Sequence, residues 1–288
     1  MCIRDSYNND GHLDLFIANC GQTQSTRRPA LYHNNGKGQF LDVTEKAGIK
    51  YQGQGMAGYW GDFNNDGYPD LFLSNYGPNV LYKNNGNGTF SDISATAGVE
   101  GDKHLHLPAA PVDYDHDGDL DIYVGHFANL MQKPFKKSFL SFKSFKGLGS
   151  HLFRNNGDGT FSDMANATGI FNPLEKLSSI VFTDFDNRRD VDFWSVAQDG
   201  NSRLYSNQRI GTFLDLSQHL SSFKSYPSNS ISTADLNKDG RVDFLLSPEL
   251  GPLIWIKNLG QMTFKATTIM PSKAVSYTHL TLPTNREV

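Results

Sequence analysis

An acidic phrase followed by an apolar tail recurs along the chain at intervals of about fifty residues, with one longer interval. The phrase reads DFNNDGYPDLFL from Asp62, DYDHDGDLDIYV from Asp113 and DLNKDGRVDFLL from Asp235. Two altered copies begin at Ser6 and Asp184. A single short unit cannot bury its own apolar face, so a chain of such units must fold by packing them against one another.

Each repeat reads as four short strands, which we label A to D. Strand A precedes the acidic loop, and strand B is its apolar tail, as in DLFL. Strands C and D flank a turn such as NNGNG, a strong hairpin signal because Asn and Gly accept positive φ. No segment shows a sustained helical period. The pattern predicts an all-β fold, a β-propeller of four-stranded antiparallel blades with about five blades present. A β-solenoid is the alternative, but its repeats are usually shorter.

Composition narrows the class of partner. The chain has 288 residues, 38% of them hydrophobic, and a formal net charge of −4. That slightly negative charge lacks the basic excess typical of chains that bind nucleic acid. No run of about 18 apolar residues is present, so no membrane span is expected. The remaining partners are proteins, glycans and small ions.

The two ends of the sequence are related to each other. The reverse complement of one codon choice for Met1–Ser6 translates as the residues from Val275 to His279. This relationship is typical of a translated sequencing adapter. We therefore interpret residues 1–6 and 275–288 as non-native ends and residues 7–274 as a propeller fragment. We expect the natural protein to be longer.

The acidic loops have the oxygen-rich pattern that Ca²⁺ favours. Positions one, three, five and nine carry Asp or Asn, and position six is Gly where the chain must turn sharply. Position seven varies because only its backbone carbonyl is needed. Closely spaced carboxylates would repel one another without a cation. The predicted calcium ligands are Asp62, Asn64, Asp66, Tyr68 and Asp70; Asp113, Asp115, Asp117, Asp119 and Asp121; and Asp235, Asn237, Asp239, Arg241 and Asp243.

Two other interpretations fit these loops less well. Asp/Asn-rich turns can simply hydrogen-bond to their own backbone. Three full copies in one register favour calcium over that interpretation. Mg²⁺ is less suitable because it requires a stricter octahedron with several waters. An EF-hand is excluded, since position twelve is Leu73, Val124 or Leu246 and not Glu.

Two loops depart from the pattern. The first offers Asn8, Asp10 and Asp14 as metal ligands, but its position one is Ser6, so we expect a truncated site. The fourth reads DFDNRRDVD, with Arg188 at position five and Arg189 in place of the glycine. A guanidinium there would take the place of the cation and pair with the loop aspartates. We expect no Ca²⁺ in that blade.

The combination of DFNNDGYPDLFL with LYKNNGNGTFSD resembles the FG-GAP/VCBS repeat of integrin-α-like propellers. The adjoining DISATAGV is most similar to the bacterial cartilage-acidic-protein-like group that carries an ASPIC/UnbV domain, although no such domain is seen here. The resemblance spans about Tyr7 to Lys273. It implies seven blades in the whole propeller, calcium in the A–B loops, and an extracellular, cell-surface or periplasmic location.

An insertion, Ala128 to Ser150, separates strands B and C of the third blade and is rich in Lys and Phe. Loops A–B and C–D share one end of a blade, so the insertion should lie at the end opposite the calcium loops. His104, His106, His126 and His151 should lie at the insertion end as well. They predict either a ligand or transition-metal site, or scattered surface histidines beside a solvated hairpin.

The preferred functional hypothesis is a calcium-stabilised binding or adhesion module for a protein or glycan ligand, and not an enzyme. Fold alone does not establish function, so the inference from this fold to a binding function is an analogy. The alternative is a calcium-dependent polysaccharide lyase that uses a Lys or His base. A third possibility is a scaffold for a further domain.

Overall fold

The computed structural model describes residues 2–19, 28–51, 53–128, 148–173, 176–197, 199–223, 228–248 and 251–269. Nearly all regular structure in these ranges is β-strand. The exceptions are a single-turn helix α1 (Ser94–Ala97) and a 3₁₀ helix (Ser217–Phe223). The chain divides into two compact units, residues 1–176 with 209–213, and residues 177–208 with 214–288.

The strands form five consecutive four-stranded antiparallel meanders, each of which we call a blade. Blade 1 has β1 (Cys2–Asp5), β2 (Asp14–Ile17), β3 (Ala30–Asn34) and β4 (Phe40–Asp42). Blade 2 has β5 (Gln54–Gly61), β6 (Asp70–Tyr76), β7 (Val80–Asn84) and β8 (Phe90–Asp92). Blade 3 has β9 (Leu105–Val112), β10 (Asp121–Ala128), β11 (His151–Asn155) and β12 (Phe161–Asp163).

Blade 4 has β13 (Leu177–Thr183), β14 (Asp192–Ala197), β15 (Arg203–Asn207) and β16 (Phe213–Asp215). Blade 5 has β17 (Ser228–Ala234), β18 (Asp243–Pro248), β19 (Ile254–Asn258) and β20 (Phe264–Thr268). Blades 2 and 3 are joined by pairing of β6 with β9 at Tyr76 and Leu105. The predicted all-β fold of four-stranded blades is therefore confirmed, and the architecture is that of an incomplete β-propeller.

The apolar cores lie between consecutive blades. One cluster combines Phe16 and Leu31 of blade 1 with Leu71 and Leu73 of blade 2. A second joins blade 2 to blade 3, and a third joins blade 4 to blade 5. Trp194 is buried in this last cluster. Apolar residues on both faces of a central strand explain such shared cores, since Leu71 of β6 enters the core with blade 1 and Phe72 enters the core with blade 3.

The two ends of the chain and the insertion lie outside the repeated pattern. Cys2–Asp5, set aside in the sequence as a non-native end, forms strand A of blade 1 and pairs with β2. Residues 275–288 and most of the insertion, residues 129–147, lie outside the described residues. Within the described ranges, no helix has the length and apolar character needed to cross a membrane.

Candidate functional site

The acidic loops connect strands A and B in the same register in every blade. The last residue of strand A pairs with the Asp at position nine, as Gly61 pairs with Asp70 and Val112 with Asp121. The same pairing joins Asp5 to Asp14, Thr183 to Asp192 and Ala234 to Asp243. A fixed pairing at the start of strand B therefore gives all five loops one length and one path.

Short-range hydrogen bonds shape each loop. In blade 2, Gly67 N donates to Asp62 Oδ2 at 2.9 Å, and Asp66 N donates to Asn64 Oδ1 at 2.9 Å. Tyr68 N donates to Asp66 Oδ1 at 3.0 Å. These are the turns expected of Asp/Asn-rich loops. They also hold the side chains of positions one, three and five in fixed directions, so the turn interpretation and the metal interpretation share one geometry.

Loop positions four and six adopt left-handed backbone, with φ of 56° at Asn65 as an example of position four. Position six has φ of 85° at Gly67, 93° at Gly118 and 81° at Gly240, which confirms the predicted sharp turn. In blade 4 the same position is Arg189, with φ of 64°. A side chain is disfavoured in this conformation, so the fourth loop retains the turn at some cost in stability.

The third loop fits a cation best. The carboxylates of Asp113, Asp115 and Asp121 come within 4.8 Å of one another. Asp113 Oδ1 and Asp115 Oδ1 are buried and have no hydrogen-bond partner among the described residues. A buried carboxylate oxygen without a partner is costly, and a bound cation would satisfy both. The residues present therefore fit Ca²⁺ at this loop.

The Asp at position nine is buried and holds the loop to strand C. Asp121 Oδ2 accepts from Tyr114 N at 3.1 Å, and Asp121 Oδ1 accepts from Asn155 N at 2.8 Å. Burial raises the pKa of Asp70 to about 6 and that of Asp121 to about 7, against these backbone hydrogen bonds, and nearby loop carboxylates add to the rise. A cation beside either group would favour its ionised form.

The second and fifth loops carry Asn at position three, and the described part of the chain shows no group of three close carboxylates in them. In the fifth loop, Arg241 Nη2 lies 2.6 Å from Asp239 Oδ2, and Lys257 Nζ lies 3.7 Å from the same oxygen. The Arg241 side chain is thus an ion-pair partner of a predicted ligand. The proposed role of the carbonyls of Tyr68, Asp119 and Arg241 stays a prediction.

The first and fourth loops, whose sequences differ from the pattern, have the same backbone path as the others. Ser6 Oγ accepts from Gly11 N at 3.1 Å, as the position-one aspartates do. In the fourth loop, Arg188 Nε donates to Asp186 Oδ2 at 2.7 Å, and its Nη2 donates to Ser206 Oγ. The predicted pairing of an arginine with a loop aspartate is confirmed for Arg188. The carboxylates of Asp184, Asp186 and Asp192 nevertheless remain within 4.8 Å of one another.

Strand C carries a cationic position that was not predicted from the sequence. Arg154 Nε lies 2.8 Å from Asp115 Oδ2, and its Nη2 lies 3.3 Å from Asp117 Oδ2. The equivalent residue is His33 in blade 1, Lys83 in blade 2 and Lys257 in blade 5. Blade 4 has Ser206 there, and the guanidinium of Arg188 reaches that serine instead. The sequence signal for this position is a basic residue immediately before the Asn that ends strand C.

The four histidines of blade 3 come together at the end of the blade opposite the acidic loop, as predicted. His106 lies near the start of β9 and His126 near the end of β10, and the two are paired across the strands. His151 begins β11. Asp102, which the sequence analysis did not single out, lies at the centre of the group, with its Oδ1 2.7 Å from His104 Nδ1.

Comparison with known proteins agrees with this geometry. The family model for the FG-GAP-like repeat matches residues 7–73, 62–124 and 184–246, more than half of the chain. The chain belongs to the FG-GAP-like repeat family. Each matched segment begins in one acidic loop of this FG-GAP repeat protein and ends in strand B of the next blade. No curated protein matches the chain.

Two solved structures share the fold of the FG-GAP repeat chain. One is an Agrocybe aegerita lectin described as specifically recognising non-reducing terminal N-acetylglucosamine, with 16% identity and a TM-score of 0.51, matching 94% of this chain and 66% of the lectin. The other is the V. cholerae biofilm matrix protein Bap1, with 11% identity and a TM-score of 0.52, matching 96% of this chain and 40% of Bap1. The chain therefore spans less than two thirds of either protein. At these identities the likeness concerns the fold alone.

Proposed function

We propose that this chain is a calcium-stabilised recognition module of an exported or cell-surface protein, and that it binds a glycan or protein without catalysing a reaction. The third acidic loop carries the proposal, because buried oxygens of Asp113 and Asp115 lack partners beside the buried Asp121. Bound Ca²⁺ would neutralise these carboxylates. The loop residues would then fix the connection between strands A and B and keep one end of the blade rigid.

Backbone N–H groups and Arg154 fix the carboxylates of the third acidic loop. Gly118 N donates to Asp113 Oδ2 at 3.2 Å, and Asp119 N donates to Asp117 Oδ1 at 3.0 Å. Each of these aspartates therefore has one oxygen fixed by the backbone. Arg154 holds Asp115 and Asp117 from strand C and competes with a bound cation for the same carboxylates. Displacement of its guanidinium would accompany metal binding.

A glycan is the ligand that the comparisons favour. One fold relative is described as recognising terminal N-acetylglucosamine, and another is a biofilm matrix protein. In the first compact unit, a concave surface is lined by Gly48, Lys50, Tyr51, Tyr82, Phe90 and Asp92. The half-buried ring of Tyr51 and the exposed Lys50 and Asp92 are the groups there that suit a sugar, because a ring covers its apolar face while polar groups bind its hydroxyls, whereas Tyr82 and Phe90 are buried in the core.

A glycan array that includes N-acetylglucosamine-terminated glycans tests the proposal, with calcium and with a chelator. We expect calcium-dependent binding that Lys50→Ala weakens and Lys46→Ala, an exposed lysine outside the concave surface, leaves unchanged. Replacing the insertion lysines by serine tests whether the insertion contributes to the same binding. Binding that is indifferent to calcium, or release of unsaturated uronates from an acidic polysaccharide, would contradict the proposal.

A further inference from the structure

A second group of ligand-type side chains lies in blade 3, at the end remote from the acidic loops. It consists of Asp102, His106, His126 and His151, and one ligand atom from each lies within 4.8 Å of the others. The side chains of His106 and His126 are almost fully buried, with 0% and 1% exposure. The four residues come from the segment before β9 and from three adjacent strands, β9, β10 and β11. The fold, and not a local sequence motif, brings them together.

The ring nitrogens converge on one carboxylate. His126 Nε2 lies 2.9 Å from Asp102 Oδ2, and His106 Nε2 lies 3.3 Å from Asp102 Oδ1. The Nε2 atoms of His106 and His126 are 3.1 Å apart. His151 Nε2 lies 4.0 Å from Asp102 Oδ2, is buried and makes no hydrogen bond within the described structure. Three imidazole nitrogens and one carboxylate thus face a common centre.

Hydrogen bonds alone do not satisfy this arrangement. Each Nε2 atom carries either one proton or one lone pair, and an ionised carboxylate only accepts. If His106 and His126 both carry the proton, their two N–H groups meet at 3.1 Å. If one of them does not, its lone pair faces a carboxylate oxygen. A cation at the centre removes the conflict, because it accepts a lone pair from every one of these atoms.

We propose that Asp102, His106, His126 and His151 bind one divalent transition-metal ion with the ligand preference of Zn²⁺. Four ligand atoms at about 2.0–2.1 Å from a tetrahedral Zn²⁺ lie about 3.4 Å apart. The separations of 2.9, 3.1, 3.3 and 4.0 Å in the structure scatter around that value. Imidazole ligands with a single carboxylate suit Zn²⁺. They do not suit Ca²⁺, which prefers oxygen ligands only. The two kinds of ion would therefore occupy opposite ends of blade 3.

A neighbouring carboxylate orients one of the three histidine ligands, His151, whereas the Nδ1 atoms of His106 and His126 are buried without a hydrogen-bond partner among the described residues. His151 Nδ1 lies 2.6 Å from Asp163 Oδ2, which directs the other ring nitrogen toward the centre. His104 Nδ1 lies 2.7 Å from Asp102 Oδ1. With four protein ligands the coordination shell is complete, so the ion has a structural role. It ties the segment that carries Asp102 to three strands of the blade.

The test uses the full chain, stripped of metal and then saturated with Ca²⁺ so that the acidic loops do not compete. Titration with Zn²⁺ should show one saturable equivalent and a rise in melting temperature. Titration with Co²⁺ should give the intense visible absorption of a tetrahedral complex. His126→Gln should abolish both signals, whereas His219→Gln, an exposed histidine of the 3₁₀ helix, should leave them intact.

A second variant keeps the proposal testable if His126→Gln does not fold. Asp163→Asn keeps a single acceptor oxygen, and with that oxygen on Leu152 N and Ala165 N its NH2 group faces His151 Nδ1, so zinc binding should weaken about 10–100-fold without a change in stoichiometry. Asp92→Asn is the matched control, because Asp92 occupies the equivalent position in blade 2. Asp92 Oδ1 accepts from Ser94 N just as Asp163 Oδ1 accepts from Ala165 N. Absence of a zinc equivalent, a weak octahedral cobalt spectrum, or equal effects of the two Asp→Asn variants would overturn the proposal.

Discussion

Position nine of the acidic loops shows how one side chain can serve the fold and a metal site together. The two oxygens of Asp70 accept from Phe63 N at 3.1 Å and from Asn84 N at 2.7 Å. Asp192 does the same with Phe185 N at 3.3 Å and Asn207 N at 2.8 Å. Each oxygen retains a further lone pair, so a carboxylate that closes the loop remains able to bind a cation.

Replacing two arginines should convert the fourth loop into a calcium site. Arg188→Asp restores the ligand at position five and removes the guanidinium from Asp186, and Arg189→Gly removes a side chain from left-handed backbone. Titration calorimetry should find one more calcium site in the double variant than in the parent. Arg189→Gly alone is the control, and it should match the parent in calcium stoichiometry. An equal count in parent and double variant would show that the arginines do not decide metal binding.

The fourth loop should also make stability depend on pH when calcium is absent. Burial raises the pKa of Asp192 from 3.8 to about 7, and Asp186 and Asp184 add to the rise while backbone hydrogen bonds oppose it. Between these values the folded chain binds more protons than the unfolded chain. The free energy of unfolding should therefore fall as pH rises from about 4 to about 7.

Asp192→Asn should make that fall shallower, because the amide does not ionise. Urea unfolding in the presence of a chelator, repeated across this pH range, measures the slope. Asp70 and Asp121 have raised pKa values too, so some slope should remain in the variant. Parallel curves for the variant and the parent would contradict the assignment to Asp192.

The elements of neighbouring blades are joined by the Asn that ends strand C. Asn155 Nδ2 donates to Phe63 O of the preceding blade at 2.8 Å, and Asn84 Nδ2 donates to Tyr7 O at 2.7 Å. Asn258 Nδ2 makes the same bond to Phe185 O at 2.7 Å. The acidic loops are also linked, since Asn65 Nδ2 donates to Asp119 Oδ1 at 2.6 Å. Loop and hairpin of one blade therefore support those of the next.

Asn155→Ala should destabilise the chain by about 1–3 kcal/mol, because it removes the donor to the buried Phe63 carbonyl and to the half-buried Leu120 carbonyl. Thermal or urea unfolding measures the loss. Asn156→Ala is the control, because its exposed amide contacts only Thr160 and Ser162 and should cost no more than about 0.5 kcal/mol. Equal losses for the two variants would mean that the link between blades contributes little.

The repeat made much of this structure predictable, because a fixed register of Asp and Gly specifies one loop geometry wherever it occurs. The pairing of Gly61 with Asp70 and the left-handed Gly67 follow directly. Contacts between separate strands were not predictable in the same way. Arg154 reaches Asp115 only through the blade geometry, and Asp102 stands in no recognisable motif. The strand Cys2–Asp5 was missed because those residues were set aside as an adapter-like end, an interpretation that stays a prediction.

At the scale of the whole molecule, stability should depend on calcium. An ion that binds only the folded chain contributes about 3 kcal/mol at a hundredfold excess over its Kd. Chelation should therefore lower the melting temperature of the chain. Asp66→Ala should reduce that response, because it removes a ligand from the second loop. Asn87→Ala, a change in the exposed C–D turn of the same blade, should preserve the full response to chelator.

Calcium stoichiometry tests the central claim most directly. Titration calorimetry of the chelator-treated chain in a calcium-free buffer should reveal three sites, which belong to the loops that begin at Asp62, Asp113 and Asp235. Asp66→Ala should reduce the number to two. A folded chain that takes up no calcium, and whose melting temperature is the same with and without chelator, would show that the acidic loops are self-bonded turns and would contradict the account.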